Sequence, residues 1–269
     1  MKRQRLDQLL VDRGYFPSRE RAKAAVMEGL VYAGGRRLDK PGAQVEPDTA
    51  LELRGDALPW VSRGGLKLER ALKIFPCDPA GKVCLDCGAS TGGFTDVLLH
   101  AGAARVYAVD VGYGQLAWKL RSDARVVNLE RTNARYLTAD QIPEPIDLAV
   151  MDLAFISIRL VLPAAGALLR EGGEAVCLIK PQFEAGRERV GKKGVVRDKE
   201  THLEVLSSFA EFFPAAGFTP LGIGFSPIRG PEGNIEFLAY LKKGVQSAPE
   251  LDLAAVVDAA HAAFEDKEA

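Results

Sequence analysis

The chain has 269 residues, 47% of them apolar, which is enough for one large or two ordinary domains with a substantial core. Its net charge of −1 neither suggests nor excludes nucleic acid as a partner. No apolar run reaches 18 residues and the charged start Met1-Lys-Arg-Gln-Arg is unlike a signal peptide, so we expect a cytoplasmic protein without a membrane span.

The first 58 residues predict a small basic domain of two helices and a few short strands. A helical stripe at 5–13 is closed by Gly14, and Ser18 caps a second predicted helix, 19–28, that stops at Gly29. Residues 1–40 hold ten Lys or Arg against five Asp or Glu, whereas six acids and one lysine follow from Pro249. This asymmetry points to a basic N-terminal binding face, although basic charge alone would favour a solvated face without a partner.

Three motifs in this part favour a partner: Arg5-Leu-Asp-x-Leu-Leu, Ser18-Arg-x-x-Ala22 and a glycine-bearing hairpin. Together they resemble the RNA-binding domain first described in a small-subunit ribosomal protein. The resemblance implies that basic side chains here, with one just beyond the linker, contact RNA: Arg3, Arg5, Arg19, Arg21, Lys23, Arg36, Arg37 and Arg63. A stiff linker at 59–62 then leads into a second domain, 63–245, and an acidic tail at 246–269 is predicted to be helical.

The second domain is organised around the stretch 82–94, Lys-Val-Cys-Leu-Asp-Cys-Gly-Ala-Ser-Thr-Gly-Gly-Phe. An apolar run leading to Asp86, a glycine-rich turn and a helical pattern predict a strand, a turn and a helix start. We expect the glycines to let the backbone approach a ligand closely. The turn has no lysine, so it is not a P-loop, and its Gly-x-x-x-Gly-Gly spacing departs from the dinucleotide fingerprint.

S-adenosylmethionine fits this turn better, because its amino group and sulfonium suit the charge of Asp86. A second predicted strand ends at Asp110, 24 residues later, where an acid hydrogen-bonds ribose hydroxyls. Asn133 follows a third strand, in a loop where an adenine edge could be bound. The predicted cofactor site comprises Asp86, Gly88, Ser90, Thr91, Gly92, Gly93, Asp110, Asn133 and Asp152. The alternative is a generic βαβ unit whose acids cap helices.

Two further strands end in charged residues, at Asp152 and at Lys180, which Pro181 holds in extended geometry. An apolar helix is predicted at 155–169, and a polar loop at 184–199 is predicted to be mobile near substrate. A closing strand pair at 218–225 and 235–241 completes an α/β fold with a doubly wound, parallel, Rossmann-like sheet. Carboxyl ends of parallel strands share one edge, so these charged residues are expected to gather there.

The four cysteines do not suggest a metal centre. Cys84-x-x-Cys87 has the spacing of half a zinc site, but no second pair exists and both residues fall in a predicted strand. The three histidines are scattered along the chain. We therefore expect buried, reduced thiols and no metal.

From residue 61 to 241 the chain resembles the FtsJ-like ribose 2′-O-methyltransferases, through SRGGLKL, LDCGASTGGFTD, AVDVGYGQL, DLAFIS, IKPQFE and GNIEF. With its N-terminal module it is similar to the TlyA family, also called hemolysins. The resemblance implies a S-adenosylmethionine-dependent enzyme that methylates cytidine riboses of 16S or 23S ribosomal RNA, or both. The family's catalytic Lys-Asp-Lys-Glu set falls on Lys67, Asp152, Lys180 and Glu236.

The chemistry can be argued from the residues as well. A ribose 2′-hydroxyl is a poor nucleophile while protonated, so a general base helps. Lys180 is the candidate base. Burial and the neighbouring cation Lys67 would favour its neutral amine, whereas nearby acids would favour the ammonium, so the sequence does not decide the net direction of its pKa shift. The alternative is that these residues form structural ion pairs. A non-enzymatic ribosome-assembly factor and a membrane-acting hemolysin remain as other functions, and the oligomeric state and the modified nucleotide are not specified by the sequence.

Overall fold

The chain is described here from a computed structural model. The described residues are 3–16, 18–27, 29–53, 59–191, 193–244 and 247–265. Glu28 and Leu58, the predicted ends of the second helix and of the N-terminal domain, lie outside them. The chain divides into two compact units, 1–63 and 64–269.

Among its described residues the first unit has two helices and five short strands: α1 (Leu6–Asp12), α2 (Arg19–Met27), β1 (Gln4–Arg5), β2 (Val31–Ala33), β3 (Arg36–Arg37), β4 (Gln44–Val45) and β5 (Leu51–Leu53). Strand β2 pairs with β3 and β5, and β1 pairs with β4. Apolar residues of both helices and of β2 form one core, led by Leu6, Leu10, Val26 and Val31.

The described part of the second unit has seven strands: β6 (Val83–Cys87), β7 (Arg105–Val109), β8 (Val126–Leu129), β9 (Ile146–Met151), β10 (Leu169–Ile179), β11 (Phe218–Phe225) and β12 (Phe237–Lys243). They form one sheet in the order β11-β12-β10-β9-β6-β7-β8. Its helices are α3 (Gly64–Ile74), α4 (Gly93–His100), α5 (Trp118–Arg121), α6 (Ile158–Leu168), α7 (Pro181–Glu184), α8 (Lys199–Ala215) and α9 (Leu253–Glu265).

The predicted α/β fold is confirmed. Strands β6 to β10 are mutually parallel where they pair, whereas β12 runs antiparallel to both of its neighbours, β10 and β11. The carboxyl ends of β6, β7, β9 and β10 therefore meet at one edge of the sheet, and the start of the antiparallel strand β12 reaches the same edge. This arrangement brings residues from five separate parts of the sequence into one site.

The helix predicted at 155–169 begins later than expected, at Ile158. The Ser157 hydroxyl accepts from the Arg159 amide at 3.1 Å, and Glu184 accepts from the Ile158 amide at 2.9 Å. These two caps satisfy the first amides of the helix and fix where it begins. Phe155 consequently lies in the loop after β9 and not in the helix.

Candidate active site

Two lysines flank one carboxylate at the carboxyl edge of the sheet. Lys180 Nζ lies 2.6 Å from Asp152 Oδ1, and Lys67 Nζ lies 3.6 Å from Asp152 Oδ2. On its other side Lys67 lies 2.6 Å from Glu236 Oε2. The four side chains that the resemblance selected thus form one continuous chain of opposite charges, in the order Glu236, Lys67, Asp152, Lys180.

The chain of charges is largely withdrawn from solvent. The Lys67 side chain is 6% exposed and the Glu236 side chain is fully buried. The side chains of Asp152 and Lys180 are 19% and 11% exposed. Burial pushes the pKa of Asp152 up, but the charges of Lys67 and Lys180 outweigh it and hold that pKa below its usual value. A substrate group would therefore reach the site from the side of Asp152 and Lys180, the two members with solvent access.

The backbone around each lysine explains its position. Lys180 follows β10 and has extended dihedrals, φ −109° and ψ 102°, as expected of a residue before proline. Lys67 lies on α3, whose buried side includes Leu68 and Ala71. Lys67 is therefore carried by a helix, and Lys180 lies at the junction between β10 and α7.

Asp86 is fully buried in β6, next to β9 and one residue before its end. Its Oδ2 accepts a 2.7 Å hydrogen bond from Thr95 Oγ1, whereas Oδ1 has no hydrogen-bond partner among the described residues. Burial raises the pKa of Asp86 to about 7; the charges of Asp152 and Asp110 add to this rise, and the Thr95 hydrogen bond opposes it. An unpaired buried acceptor is costly, so it points to a donor supplied from outside the chain.

The glycines of the turn serve the fold in a way that the sequence did not indicate. A Cβ on Gly88 would lie 2.5 Å from the Asp152 carbonyl oxygen, and one on Gly92 would overlap Leu120. Both glycines also have positive φ, +87° and +96°. At these two positions protein atoms occupy the space that a Cβ would need, and this close approach brings Asp152 to the turn. The expectation that the glycines let the backbone approach a ligand closely stays a prediction.

Asp110 joins the turn to the next loop. Its carboxylate accepts from the Ser90 amide at 2.8 Å and from the Gly112 amide at 2.7 Å. Asn133 lies nearby, because the Thr132 amide donates to the Asp110 carbonyl. The Asn133 side chain is exposed, and its oxygen accepts from the Arg135 amide at 3.0 Å, capping a single 3₁₀ turn. Thr91 is half-buried and Gly93 is buried in the same turn.

Phe155 is a residue that sequence reasoning missed. It is 91% exposed and has a left-handed φ of +63°, although it lies three residues after Asp152. Its ring is 5.4 Å from that of Phe183, which lies three residues after Lys180. A strained, exposed aromatic at such a site suggests a function. The feature of the sequence that could have indicated this role is an aromatic residue between Asp152, at the end of a strand, and Ser157, which caps the next helix.

The loop predicted to be mobile, 184–199, is anchored in its second half. Val195 and Val196 are buried. Asn234, also buried, accepts from the Val196 amide at 2.9 Å and donates to the Gly194 carbonyl at 2.9 Å. Since Asn234 stands two residues before Glu236, the loop is tied directly to the segment that carries this carboxylate.

The basic residues of the first unit fall into two groups. Arg5 and Arg19 both form ion pairs with the fully buried Asp7, at 2.8 and 3.1 Å, and the Arg5 hydrogen bond is the main reason why the pKa of Asp7 falls to about 2. Arg3 pairs with Glu46 at 2.7 Å, and Arg21 donates to the Trp60 carbonyl. Arg5 and Arg19 therefore contribute to the fold as well as to surface charge.

The second group keeps its charge available. Lys23, Arg36 and Arg37 are exposed and show no ion pair with any residue in the described part of the chain. Arg63 is half-buried at the end of the first unit. Among the predicted RNA contacts, the three exposed and unpaired cations are the ones whose charge is not already engaged within the first unit.

The remaining sequence candidates give no second site. All four cysteines are buried free thiols, and burial raises the pKa of Cys84 to about 12. No group of His, Cys, Asp and Glu within the described ranges is arranged to hold a metal ion. A separate search of the same ranges finds no helix long and apolar enough to cross a membrane. The two histidines His202 and His261, far apart in sequence, lie in contact.

Comparison with known proteins agrees with this architecture. Residues 60–243 match the FtsJ-like methyltransferase family and residues 4–51 match the S4 domain. A Bacillus subtilis protein named as a candidate rRNA methyltransferase, YqxC, is 51% identical over 275 residues, covering 100% of this chain and 98% of the relative. The 16S/23S rRNA (cytidine-2′-O)-methyltransferase TlyA of Mycobacterium tuberculosis is 45% identical, covering 98% of each chain.

A solved structure named as a candidate hemolysin, from Streptococcus thermophilus, superposes with a TM-score of 0.78 at 47% identity, covering 100% of this chain and 99% of that one. The similarity to these proteins thus extends over both units of the chain. The chain belongs to the FtsJ-like methyltransferases and, with its N-terminal S4 domain, to the TlyA family.

Proposed function

We propose that this chain transfers a methyl group from S-adenosylmethionine to ribose 2′-hydroxyls of cytidines in 16S or 23S ribosomal RNA, or both. The observation that carries the proposal is the buried Lys67–Asp152–Lys180 chain of charges at the carboxyl edge of a methyltransferase sheet. The name of the 45% identical relative supports the substrate. The partner is ribosomal RNA, free or within a subunit.

Asp86 supports the choice of cofactor. Its unpaired, buried Oδ1 suits the cationic amino group of S-adenosylmethionine, which supplies an electrophilic methyl group when bound. Asp110 is the proposed partner of the ribose hydroxyls, and Asp152 lies at the methionine end of the site. The turn residues Ser90, Thr91, Gly92 and Gly93, with Gly88 and Asn133, complete the proposed cofactor site.

Each member of the charge chain has a proposed task. Lys180, as the neutral amine, accepts the proton that leaves the 2′-hydroxyl, because Lys180 and Asp152 keep solvent access whereas Lys67 and Glu236 are almost fully buried. Asp152 holds Lys180 in place at 2.6 Å. Lys67 adds a second positive charge beside Asp152, and Glu236 holds Lys67.

Mapping 2′-O-methyl groups in ribosomal RNA from a deletion strain and from the complemented strain tests the proposal. We expect specific cytidines to lose the modification and to regain it with wild-type protein but not with Lys180→Met. Loss from one subunit RNA alone would restrict the substrate to that subunit. An unchanged methylation map with a growth or assembly defect would favour the non-enzymatic assembly factor.

Phe155 is proposed to stack on a base near the reacting ribose. Proteins that bind or modify RNA hold unstacked bases against exposed aromatic rings, and each such stacking contact stabilises the complex by about 1–3 kcal/mol. We expect Phe155→Ala to raise KM for RNA by about 5- to 150-fold with unchanged cofactor affinity, because the side chain is almost fully exposed. Phe155→Tyr, which keeps a ring, is the matched control. Equal KM values for Phe155→Ala and wild type would contradict the stacking role.

Residues 1–58 are proposed to anchor RNA, with a linker at 59–62 and the chemistry confined to 63–245. Phosphate contacts make the binding constant for RNA fall as the salt concentration rises. For single strands, each contact contributes roughly 0.7 to the slope of log binding constant against log salt concentration. Replacing Lys23, Arg36 and Arg37 with alanine should therefore reduce the slope by about 2 and weaken binding at low salt. Filter binding across a salt series measures both.

Arg5→Ala is the control for this prediction. Because Arg5 is paired with the buried Asp7, its loss should lower the melting temperature more than the triple variant does, since it leaves a buried carboxylate with one partner fewer. An unchanged salt slope in the triple variant would mean that the first unit is not the RNA anchor.

A further inference from the structure

Helix α9 follows the part of the chain that matches the methyltransferase family, yet it is fastened to the segment that carries Glu236. The Arg229 guanidinium donates to the Phe264 carbonyl at 3.1 Å and lies 5.2 Å above the centre of the Phe264 ring. Val257, Ala260 and Phe264 of α9 are buried in the apolar core that the sheet and helices of the second unit share. The end of α9 is therefore a fixed support for the loop that contains Arg229.

That loop, 226–234, closes over the Glu236 carboxylate. A Cβ on Gly230, the residue after Arg229, would lie 2.7 Å from Glu236 Oε1. The Gly230 amide donates to the Asn234 carbonyl at 2.9 Å, and the Ser226 amide donates to the Glu236 carbonyl at 2.9 Å. Because Gly230 directly follows Arg229, a movement of Arg229 would also move the backbone that contacts Glu236.

A second contact reaches the same strand from the other direction. His261 of α9 lies 2.9 Å from His202 of α8, measured between Nε2 and Nδ1. The buried His202 ring packs edge-on against Phe237, at 5.3 Å between centres. Phe237 directly follows Glu236. Helix α9 therefore contacts, through one intermediate residue on each route, both the loop before Glu236 and the residue after it.

We infer that α9 positions Glu236, and through it Lys67, for methyl transfer, with Arg229 as the main positioning residue. This inference rests on the proposed function, in which Glu236 holds Lys67 beside Asp152. Lys67 lies 2.6 Å from Glu236 and 3.6 Å from Asp152, so a shift of Glu236 alters the charge next to the proposed base. Small misplacements of catalytic groups have large effects on rate.

A double-mutant cycle tests the inference in the full-length protein, using single-turnover methyl transfer at saturating cofactor and RNA. We expect Arg229→Gln to lower the rate by about tenfold or more while cofactor affinity stays within about twofold. In a Glu236→Gln background, Arg229→Gln should have almost no further effect, because the residue through which it acts is already altered. If Arg229 had a merely structural role, Arg229→Gln would lower the rate by the same factor in both backgrounds.

Two further variants keep the result decisive. Asp258→Asn removes an exposed α8–α9 ion pair with Lys199, at 2.8 Å, and should leave the rate unchanged. If Arg229→Gln fails to fold, Phe264→Leu keeps the apolar packing and removes the ring beneath the guanidinium. Equal rates for Arg229→Gln and wild type, or equal losses in both backgrounds, would overturn the inference alone. A wild-type rate in Glu236→Gln would instead overturn the role of Glu236 in the proposed function.

Discussion

Lys180→Met is expected to lower the single-turnover rate of methyl transfer by about 10²- to 10⁴-fold, the usual contribution of a general base. Methionine keeps the aliphatic stem and removes the amine, so the strand β10 that ends beside it should be unaffected. Cofactor and RNA affinities should change little, because the proposed role of Lys180 is to accept a proton and not to bind either substrate.

The pH dependence of the rate separates this role from mere proximity. If the Lys180 amine accepts the proton, the wild-type rate should rise with pH, because a general base acts only in its unprotonated form. Lys67→Met removes the second cation beside Asp152, so a pH profile that differs from that of wild type would show that this cation acts on the base. If the site only holds cofactor and ribose together, Lys180→Met should weaken substrate binding and lower the rate in parallel. The pH profile of its rate should then be the same as that of wild type.

A matched control for the lysine substitutions is available on α3, the helix that carries Lys67. Lys73, an exposed lysine on α3, forms an ordinary surface ion pair with Glu69, so Lys73→Met should retain the wild-type rate. A Lys180→Met enzyme within a few-fold of wild type at saturating substrates would exclude Lys180 as the base.

Much of this site follows from the sequence because sheet topology is a strong constraint. Asp110, Asp152 and Lys180 each follow an apolar run, and parallel strands bring their carboxyl ends to one edge. The 2.6 Å contact between Lys180 and Asp152 is a consequence of that pattern. Lys67 and Glu236 lie outside the parallel strands, and only a resemblance to a family singled them out in advance.

Side-chain pairing was less accessible to sequence reasoning. Nothing in the local pattern distinguishes Arg5, which pairs with buried Asp7, from Arg36, which is exposed and has no ion pair within the described residues. The contact between His202 and His261 joins residues 59 positions apart and depends on how α9 packs. Such pairs are set by tertiary packing, which periodicity and motif spacing do not encode.

Asp86→Asn is expected to weaken S-adenosylmethionine binding by roughly 10- to 150-fold at pH 8, which corresponds to about 1.5–3 kcal/mol for a charged hydrogen bond. Asparagine has nearly the same shape and can still accept from Thr95 Oγ1. The substitution therefore removes the charge and leaves the packing of β6 in place.

Wild-type affinity should also depend on pH in a way that Asp86→Asn abolishes. Burial raises the pKa of Asp86 to about 7 in the free protein, so below that pH the carboxyl is protonated and must lose its proton before it can pair with a cation. Cofactor affinity should accordingly fall as pH decreases below about 7, by up to about tenfold per pH unit. Above about pH 7 the carboxylate is already ionised and the affinity should level off.

Thr95→Val provides the second variant for this measurement. The Thr95 hydrogen bond opposes the rise in the pKa of Asp86, so its removal should move the midpoint of the affinity profile to higher pH. Calorimetric titrations of wild type, Asp86→Asn and Thr95→Val between about pH 5.5 and 8.5 give the three profiles. Parallel profiles in wild type and Asp86→Asn would mean that another group titrates, and that the buried carboxylate does not pair with the cofactor.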